Sequence, residues 1–212
     1  MFVSDFMTRE LITAAEDDLA GYTLQRMREQ GLRRMPVLSR SGELVGMITD
    51  RRLLQALAVP VRRGEFHRAV ELPPPLSVGK LMSPQLFTVA PDTPLEEAAA
   101  TMVSSRIGSL VVMEGGKPIG IITETDMFRV FLRLLGAGER GVRVTMRVPA
   151  FRGIQADIVT DVARAGGSFI TLASLTDEDG YLVAFKVADM TRQDLEEILA
   201  ELPISDVDIM ET

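Results

Sequence analysis

At 212 residues, with 46% apolar and 25% charged side chains, the chain has material for one large domain or two small ones with their own cores. A net charge of −7 argues against general affinity for nucleic acid or anionic membranes. The absence of cysteine removes disulfides, thiolate catalysis and cysteine metal sites together, and it fits a reducing cytoplasmic setting. No apolar run is long enough to cross a bilayer, and Met1-Phe2-Val3-Ser4-Asp5 lacks the basic start of a signal peptide.

The elements follow in chain order. After an opening Val3-Ser4-Asp5-Phe6-Met7-Thr8, a short strand near Ile12 leads to a helix. Strands over Met35 to Leu38 and Leu44 to Ile48 flank the turn Ser39-Arg40-Ser41-Gly42, and a helix follows Thr49. Residues 59–77 have no sustained period and contain Pro60, Gly64 and Pro73-Pro74-Pro75, so they read as a partly stiff linker. The only histidine, His67, lies there, where an isolated imidazole reads as solvated surface.

The pattern then repeats. Val78-Gly79-Lys80-Leu81-Met82-Ser83 resembles Val3 to Thr8 at an offset of 75, which also carries Thr13 onto Thr88, Asp17 onto Asp92 and Met27 onto Met102. Leu32 to Val37 falls on Ile107 to Val112, and after a one-residue gap Gly46-Met47-Ile48-Thr49 falls on Gly120-Ile121-Ile122-Thr123. In the second copy Pro94 starts a helix whose apolar face is Leu95, Ala98, Ala99 and Met102. Strands over Leu110 to Met113 and Ile119 to Ile122 flank Glu114-Gly115-Gly116-Lys117, and Asp126 to Leu135 forms a last helix ended by Gly136 and Gly138. Neither copy easily buries both faces of its sheet alone, so the two are expected to pack face to face.

From Val142 the pattern changes. Val142 to Val148 alternates as a half-buried strand, Ile154 to Ala165 is helical, and strands over Ser168 to Thr176 and Tyr181 to Val187 flank Asp177-Glu178-Asp179-Gly180. Thr191 caps a further helix, and Val207 to Met210 gives a final strand. The order βαββαβ is the ferredoxin-like plan. The expected divisions are residues 1–58, a linker 59–77, then 78–136 and 142–212.

Candidate chemistry centres on Gly120 to Asp126, a strand entering a helix. Thr123 is a natural N-cap and Asp126 sits in the first turn, where amide donors and a partial positive charge attract anions and a carboxylate can accept from sugar hydroxyls. An ordinary capped helix explains the same residues. Arg33-Arg34 and Arg51-Arg52 can bind phosphate oxygens through forked donors or serve as solvated surface. No G-x-S-x-G, P-loop or GxGxxG element occurs at a strand-to-helix turn. Asp17-Asp18, Glu96-Glu97 and Asp177-Glu178-Asp179 fit caps and turns, and the last lacks calcium-loop spacing.

With its Met-Thr or Met-Ser opening, Thr-Val-Ala-Pro-Asp, and the closing Gly-Ile-Ile-Thr-x-x-Asp, the duplicated unit resembles a CBS domain pair, or Bateman module, over residues 1 to about 135. The strings Arg106-Ile107-Gly108 and Thr123-Glu124-Thr125-Asp126, followed by a tail resembling an ACT domain, are similar to the bacterial acetoin-utilisation accessory group. The resemblance implies an α+β, or α/β, fold: two β-α-β-β-α units in one sandwich, with two pseudo-symmetric clefts that take adenosine compounds such as AMP, ADP, ATP or S-adenosylmethionine.

Carried over by position, Thr123, Asp126 and the neighbouring Thr125 and Ile122 would hold ribose and base, with Met7, Ile12 and Thr13 contributed by the other unit. Arg33 and Arg34 match positions that meet phosphates. The first copy keeps Thr49 but has Arg52 where Asp126 stands, which makes its cleft, with Thr88, the weaker one. ACT domains that bind amino acids carry Asp or Asn before the first loop glycine. Ala150-Phe151-Arg152-Gly153 departs from that and suggests a dimerising module.

The expectation is therefore a non-catalytic cytoplasmic regulator and homodimer. It needs no cofactor or metal, takes an adenine nucleotide as regulatory ligand, and has a regulated metabolic enzyme among its conceivable partners, without nucleic acid or membrane. Its rivals are an enzyme of small-molecule metabolism, in the acetoin or a related pathway, and a ligand-free dimerisation module.

Overall fold

The computed structural model describes residues 1–57, 75–150, 153–176 and 180–212. His67 with most of the expected linker, Phe151-Arg152, and Asp177-Glu178-Asp179 lie outside the described residues. The chain forms two compact units, Met1–Met127 and Phe128–Thr212.

The first unit contains the duplication. Copy one runs α1 (Val3–Phe6), β1 (Ala14–Ala15), α2 (Ala20–Glu29), β2 (Arg34–Leu38), β3 (Leu44–Thr49) and α3 (Asp50–Leu57). Copy two runs α4 (Val78–Leu81), β4 (Thr88–Val89), α5 (Leu95–Ser105), β5 (Ser109–Glu114), β6 (Lys117–Thr123) and α6 (Glu124–Leu134), the last crossing into the second unit. Each copy has a three-stranded sheet, β1-β2-β3 or β4-β5-β6, with a parallel first pair and an antiparallel second. Leu110, Val111 and Val112 are all fully buried, a continuous apolar run that fits a strand covered on both faces. Gly115 and Gly116, at φ 56° and 77°, form the two-residue turn that matches the strand twist between β5 and β6.

The four-residue helices α1 and α4 were not anticipated, and they are exchanged between the copies. Val3 N–H donates to Thr93 O (3.0 Å), Ser4 N–H to Pro91 O (2.9 Å) and Leu95 N–H to Met1 O (3.2 Å). At the 75-residue offset, Val78 N–H donates to Asp18 O (2.9 Å), Gly79 N–H to Glu16 O (2.7 Å) and Ala20 N–H to Leu76 O (2.8 Å). Val78 accordingly joins the core of copy one with Ala20, Leu24, Met27, Met35, Val37, Ile48 and Leu53. The sequence repeat and the packed unit are thus offset by one short helix.

The exchange continues past the helices and demands two glycines. Thr8 exchanges backbone bonds with Ile121 (2.9 and 3.0 Å), and Ser83 with Met47 (2.8 and 2.9 Å). A Cβ on Gly120 would lie 2.8 Å from Thr8 O and 2.9 Å from Met7 Sδ; one on Gly46 would lie 2.8 Å from Ser83 O and 2.5 Å from Met82 Sδ. Backbone cannot yield as a flexible side chain can, so Gly46→Ala is expected to destabilise by about 1–3 kcal/mol. Gly21→Ala, inside α2 with open space around it, should stabilise by roughly 0.5–1 kcal/mol. Urea unfolding of the two variants checks the opposite signs; equal behaviour would contradict the close approach.

The second unit runs β7 (Val142–Pro149), α7 (Ile154–Arg164), β8 (Ser168–Thr176), β9 (Gly180–Ala188), α8 (Arg192–Ala200) and β10 (Ser205–Glu211). Its antiparallel sheet has the order β10-β7-β9-β8. Val142, Val144, Met146 and Val148 alternate inward and meet Ile158, Val162, Phe185, Leu195 and Leu199 in one core. Thr191 and Asp194 form a capping box, with Thr191 Oγ1 accepting from Asp194 N–H at 3.2 Å. Lys186 is 5% exposed and donates Nζ to the carbonyls of Gly136 and Glu139, which fixes the segment after α6 against β9.

Candidate functional site

The two strand-to-helix junctions of the first unit are built alike. Glu124 N–H donates to Gly108 O (3.2 Å) and Asp50 N–H to Arg33 O (3.1 Å), so each helix start is tethered to the residue preceding its neighbouring strand, β5 or β2. In copy two Asp126 Oδ2 accepts from Thr123 N–H (2.9 Å) and Oγ1–H (2.7 Å), and Asp126 N–H donates back to Thr123 Oγ1 (3.3 Å). That is a reciprocal cap, and it holds Asp126 at 8% exposure. In copy one only half of it survives: Arg52 N–H donates to Thr49 Oγ1 (3.2 Å), and no acid at that position returns the bond.

A cavity of about 240 Å³ lies at the copy-one junction. Arg34, Met47 and Thr49 line it from copy one, and Ser83, Gln85, Leu86 and Phe87 from the opening of copy two. Arg106, Ile107, Gly108 and Ser109 close it. Arg34 Nη1 donates to Gly108 O (3.1 Å), and a Cβ on Gly108 would meet both Arg34 nitrogens, at 2.5 and 2.6 Å, and Glu124 Oε2. Gly108 is therefore the residue that lets Arg34 reach across the two copies.

The expected residues fall into three groups. Thr49 and Arg34 line the cavity together, whereas Arg34 was assigned on sequence to the Asp126 cleft. Arg52 is exposed on the first turn of α3, and Thr88 is exposed beside the lining residue Phe87. Thr123 and Asp126 are joined as described, with Thr125 exposed on the same turn, and Met7 packs under Gly120 two residues after which Ile122 begins the approach to Thr123. Ile122 itself is fully buried opposite Leu110 and is a core side chain. Ile12 packs on the copy-one core, Thr13 O accepts from Arg26 Nη2 (3.1 Å), and Arg33 is exposed.

Sequence reasoning missed Gln85, Phe87, Arg106, Gly108 and Ser109 as lining residues. The signal was present at one of them: Arg106 follows α5 in the left-handed region at φ 53°, where copy one has Gly31 at φ 65°, and the two are 75 residues apart.

A sequence profile of the CBS domain matches residues 3–59 and 78–133, more than half of the chain. The chain belongs to the CBS domain family, with two tandem copies. It is 27% identical over 136 residues to a CBS domain-containing protein of Dictyostelium discoideum, covering 64% of this chain and 94% of that one. The chain spans less than half the length of two archaeal relatives that it matches. Among solved structures it is similar to the CBS domain pair of protein MJ0100 in complex with 5′-methylthioadenosine and S-adenosyl-L-methionine (TM-score 0.51, 22% identity, 62% of this chain and 95% of that one). It is also similar to a Vibrio cholerae protein assigned to acetoin utilization, AcuB (TM-score 0.51, 26% identity, 64% of this chain and 93% of that one). Among the described residues no helix is long and apolar enough to cross a membrane.

Proposed function

We propose that this chain is a non-catalytic cytoplasmic regulator that binds an adenine nucleotide or related adenosine compound in the clefts of its CBS pair. The observation that carries the reading is the copy-two junction, where Thr123 and Asp126 stand together at a helix N-terminus beside the exchanged Met7-Thr8 segment. The presence of methylthioadenosine and S-adenosylmethionine in the MJ0100 pair supports the same ligand class. A ligand can act on a partner, such as a metabolic enzyme, only by binding two arrangements of the protein unequally. Calorimetric titration with AMP, ADP, ATP and S-adenosylmethionine tests the binding, and turnover of any of them would overturn the non-catalytic part.

Residues 142–212 fit a ferredoxin-like, ACT-like module, since βαββαβ with the strand order β10-β7-β9-β8 places the first and third strands centrally. We assign it to dimerisation. Strand β8 is a sheet edge of nine residues, Ser168 to Thr176, without one charge or proline, while exposing Leu172 and Leu175; such an edge invites a second copy. Antiparallel pairing about Leu172 would oppose Phe169 to Leu175 across the two-fold. Sedimentation at micromolar concentration is expected to give a dimer that Leu172→Lys converts to monomer. A monomeric native chain, or a dimer indifferent to the substitution, would remove β8 from the interface.

A further inference from the structure

Strand β10 is the second edge of the sheet in the second unit, paired on one side only, with β7. Thr212 and Gly141 exchange both backbone bonds (3.0 and 3.1 Å). By the alternation of an antiparallel ladder, Glu211 and Ile209 therefore turn their N–H and C=O groups away from β7, to the open side. All of β10 but Ile209 is exposed, Val207 and Met210 included.

Beside that edge a groove of about 390 Å³ runs between β10 and α8. Its floor is apolar, formed by Leu199, Leu202, Ile204, Val207 and Ile209, and its α8 wall is a stripe of Arg192, Glu196 and Ala200. The same stripe continues the groove toward Gln193, Glu197 and Glu211. Among the described residues Arg192 is the one cation lining it, against Glu196, Glu197, Asp208 and Glu211. Glu196 takes up Arg192 at 2.7 Å, while Glu197 accepts from the neutral Gln193 at 3.1 Å. The Arg192 guanidinium is held above its ordinary range by the hydrogen bond to Glu196, then by the charges of Glu196, Asp208 and Glu211, so these carboxylates surround one corner.

The two edges of this sheet are opposite in kind. β8 carries no charge, whereas β10 carries Asp206, Asp208 and Glu211. Asp206 is met by Arg147 (3.4 Å) and stands at the register shift that ends the regular edge, so Asp208 and Glu211 are the charges presented to a partner. A second copy laid on β10 would bring the same carboxylates against themselves, and like charges facing across strands are destabilising. Nucleic acid and anionic lipid meet the same repulsion.

We propose that the corner of α8 and β10 takes an extended, cationic segment of a partner protein, added to the sheet as a strand antiparallel to β10. Main-chain bonds to Ile209 and Glu211 supply affinity, and alternate side chains supply selectivity. A residue opposite Ile209 points to the apolar floor. A cation opposite Glu211 lies on the same α8 side, and a cation opposite Asp208 lies on the other face of the sheet. The partner pattern, read from the position opposite Glu211, is thus cation, any residue, apolar, cation. This surface needs no ligand in the CBS clefts, so the inference goes beyond the adenosine reading and stands apart from it.

The test is NMR titration of the full chain, followed at its backbone amides, with the blocked peptide Lys-Thr-Val-Lys-Val-Thr-Lys. Saturable shifts centred on Ile209, Glu211 and α8 are expected, with affinity falling about tenfold in the double variant Asp208→Lys/Glu211→Lys. Both side chains are exposed, so that variant should keep the native Tm. The peptide with glutamate for every lysine should show the reverse preference, binding the variant and not the native chain. N-methylation of both valines removes donors facing β10 without changing a charge and should abolish binding. No saturable shift at millimolar peptide, equal affinity for the two peptides, or binding that survives N-methylation would overturn the inference. So would dissociation of the native dimer in Asp208→Lys/Glu211→Lys, which would assign the edge to a second copy.

Discussion

Asp126→Ala is expected to weaken adenosine binding by about 1.5–3 kcal/mol, roughly 10- to 150-fold, the range for hydrogen bonds to a charged group. The structure adds a second effect. Asp126 is half of a reciprocal cap, accepting from both the backbone and the hydroxyl of Thr123, so its removal should also destabilise α6 by about 1 kcal/mol. Asp126→Asn separates the two, because an amide oxygen still caps the helix while the charge that favours ribose hydroxyls is gone. Stability near the native value with reduced affinity is the expected result for Asn. Unchanged affinity in both variants would take Asp126 out of the site.

Phe185→Ala should produce the largest loss of stability, about 3–5 kcal/mol. The ring is 1% exposed in the core of the second unit and meets Phe169 at a centroid distance of 5.4 Å, so truncation leaves a cavity in a close-packed core of strands and helices. The functional consequence is selective. None of the residues assigned to either cleft lies beyond Met127, so adenosine affinity is expected to survive while dimerisation fails. Two-wavelength unfolding with parallel titration checks this, and loss of adenosine binding at temperatures where the first unit remains folded would assign part of the site to the second.

Much of the architecture was legible because it rests on local signals. The duplication showed as a fixed offset, Gly115-Gly116 marked the hairpin turn, and Thr191 marked the start of α8, each through backbone chemistry acting within a few residues. The resemblance implied that the opening segment of one unit reaches the other, but α1 and α4 themselves were not legible. Four-residue helices have no period to read, and their partners, Pro91 to Leu95 and Glu16 to Ala20, are distant in sequence. For the same reason the glycines at 46 and 120 read as parts of strands, although their role is to admit a backbone from the other copy.

The site was legible in its helix-start half and obscure in its walls. Thr49, Thr123 and Asp126 declare themselves by cap spacing. Arg34 reaches the cavity across the gap that Gly108 leaves, and Ile122, expected at the ligand, is turned into the core by strand alternation one residue before Thr123. Arg106 could have been found by comparing the copies position by position, since an arginine replacing a glycine after a helix contradicts local preference.

The most direct measurement of the central claim is the shift in Tm of the native full chain with saturating AMP, ADP, ATP, S-adenosylmethionine and adenosine, each compared with the ligand-free protein. A compound present at 100 times its Kd adds about 2.7 kcal/mol, which for a chain of this size raises Tm by roughly 5–11 °C. At least one adenosine compound is expected to do so in the native chain and to lose most of that shift in Asp126→Ala, measured against the variant's own baseline. Absence of any shift with every compound at millimolar concentration would contradict the account.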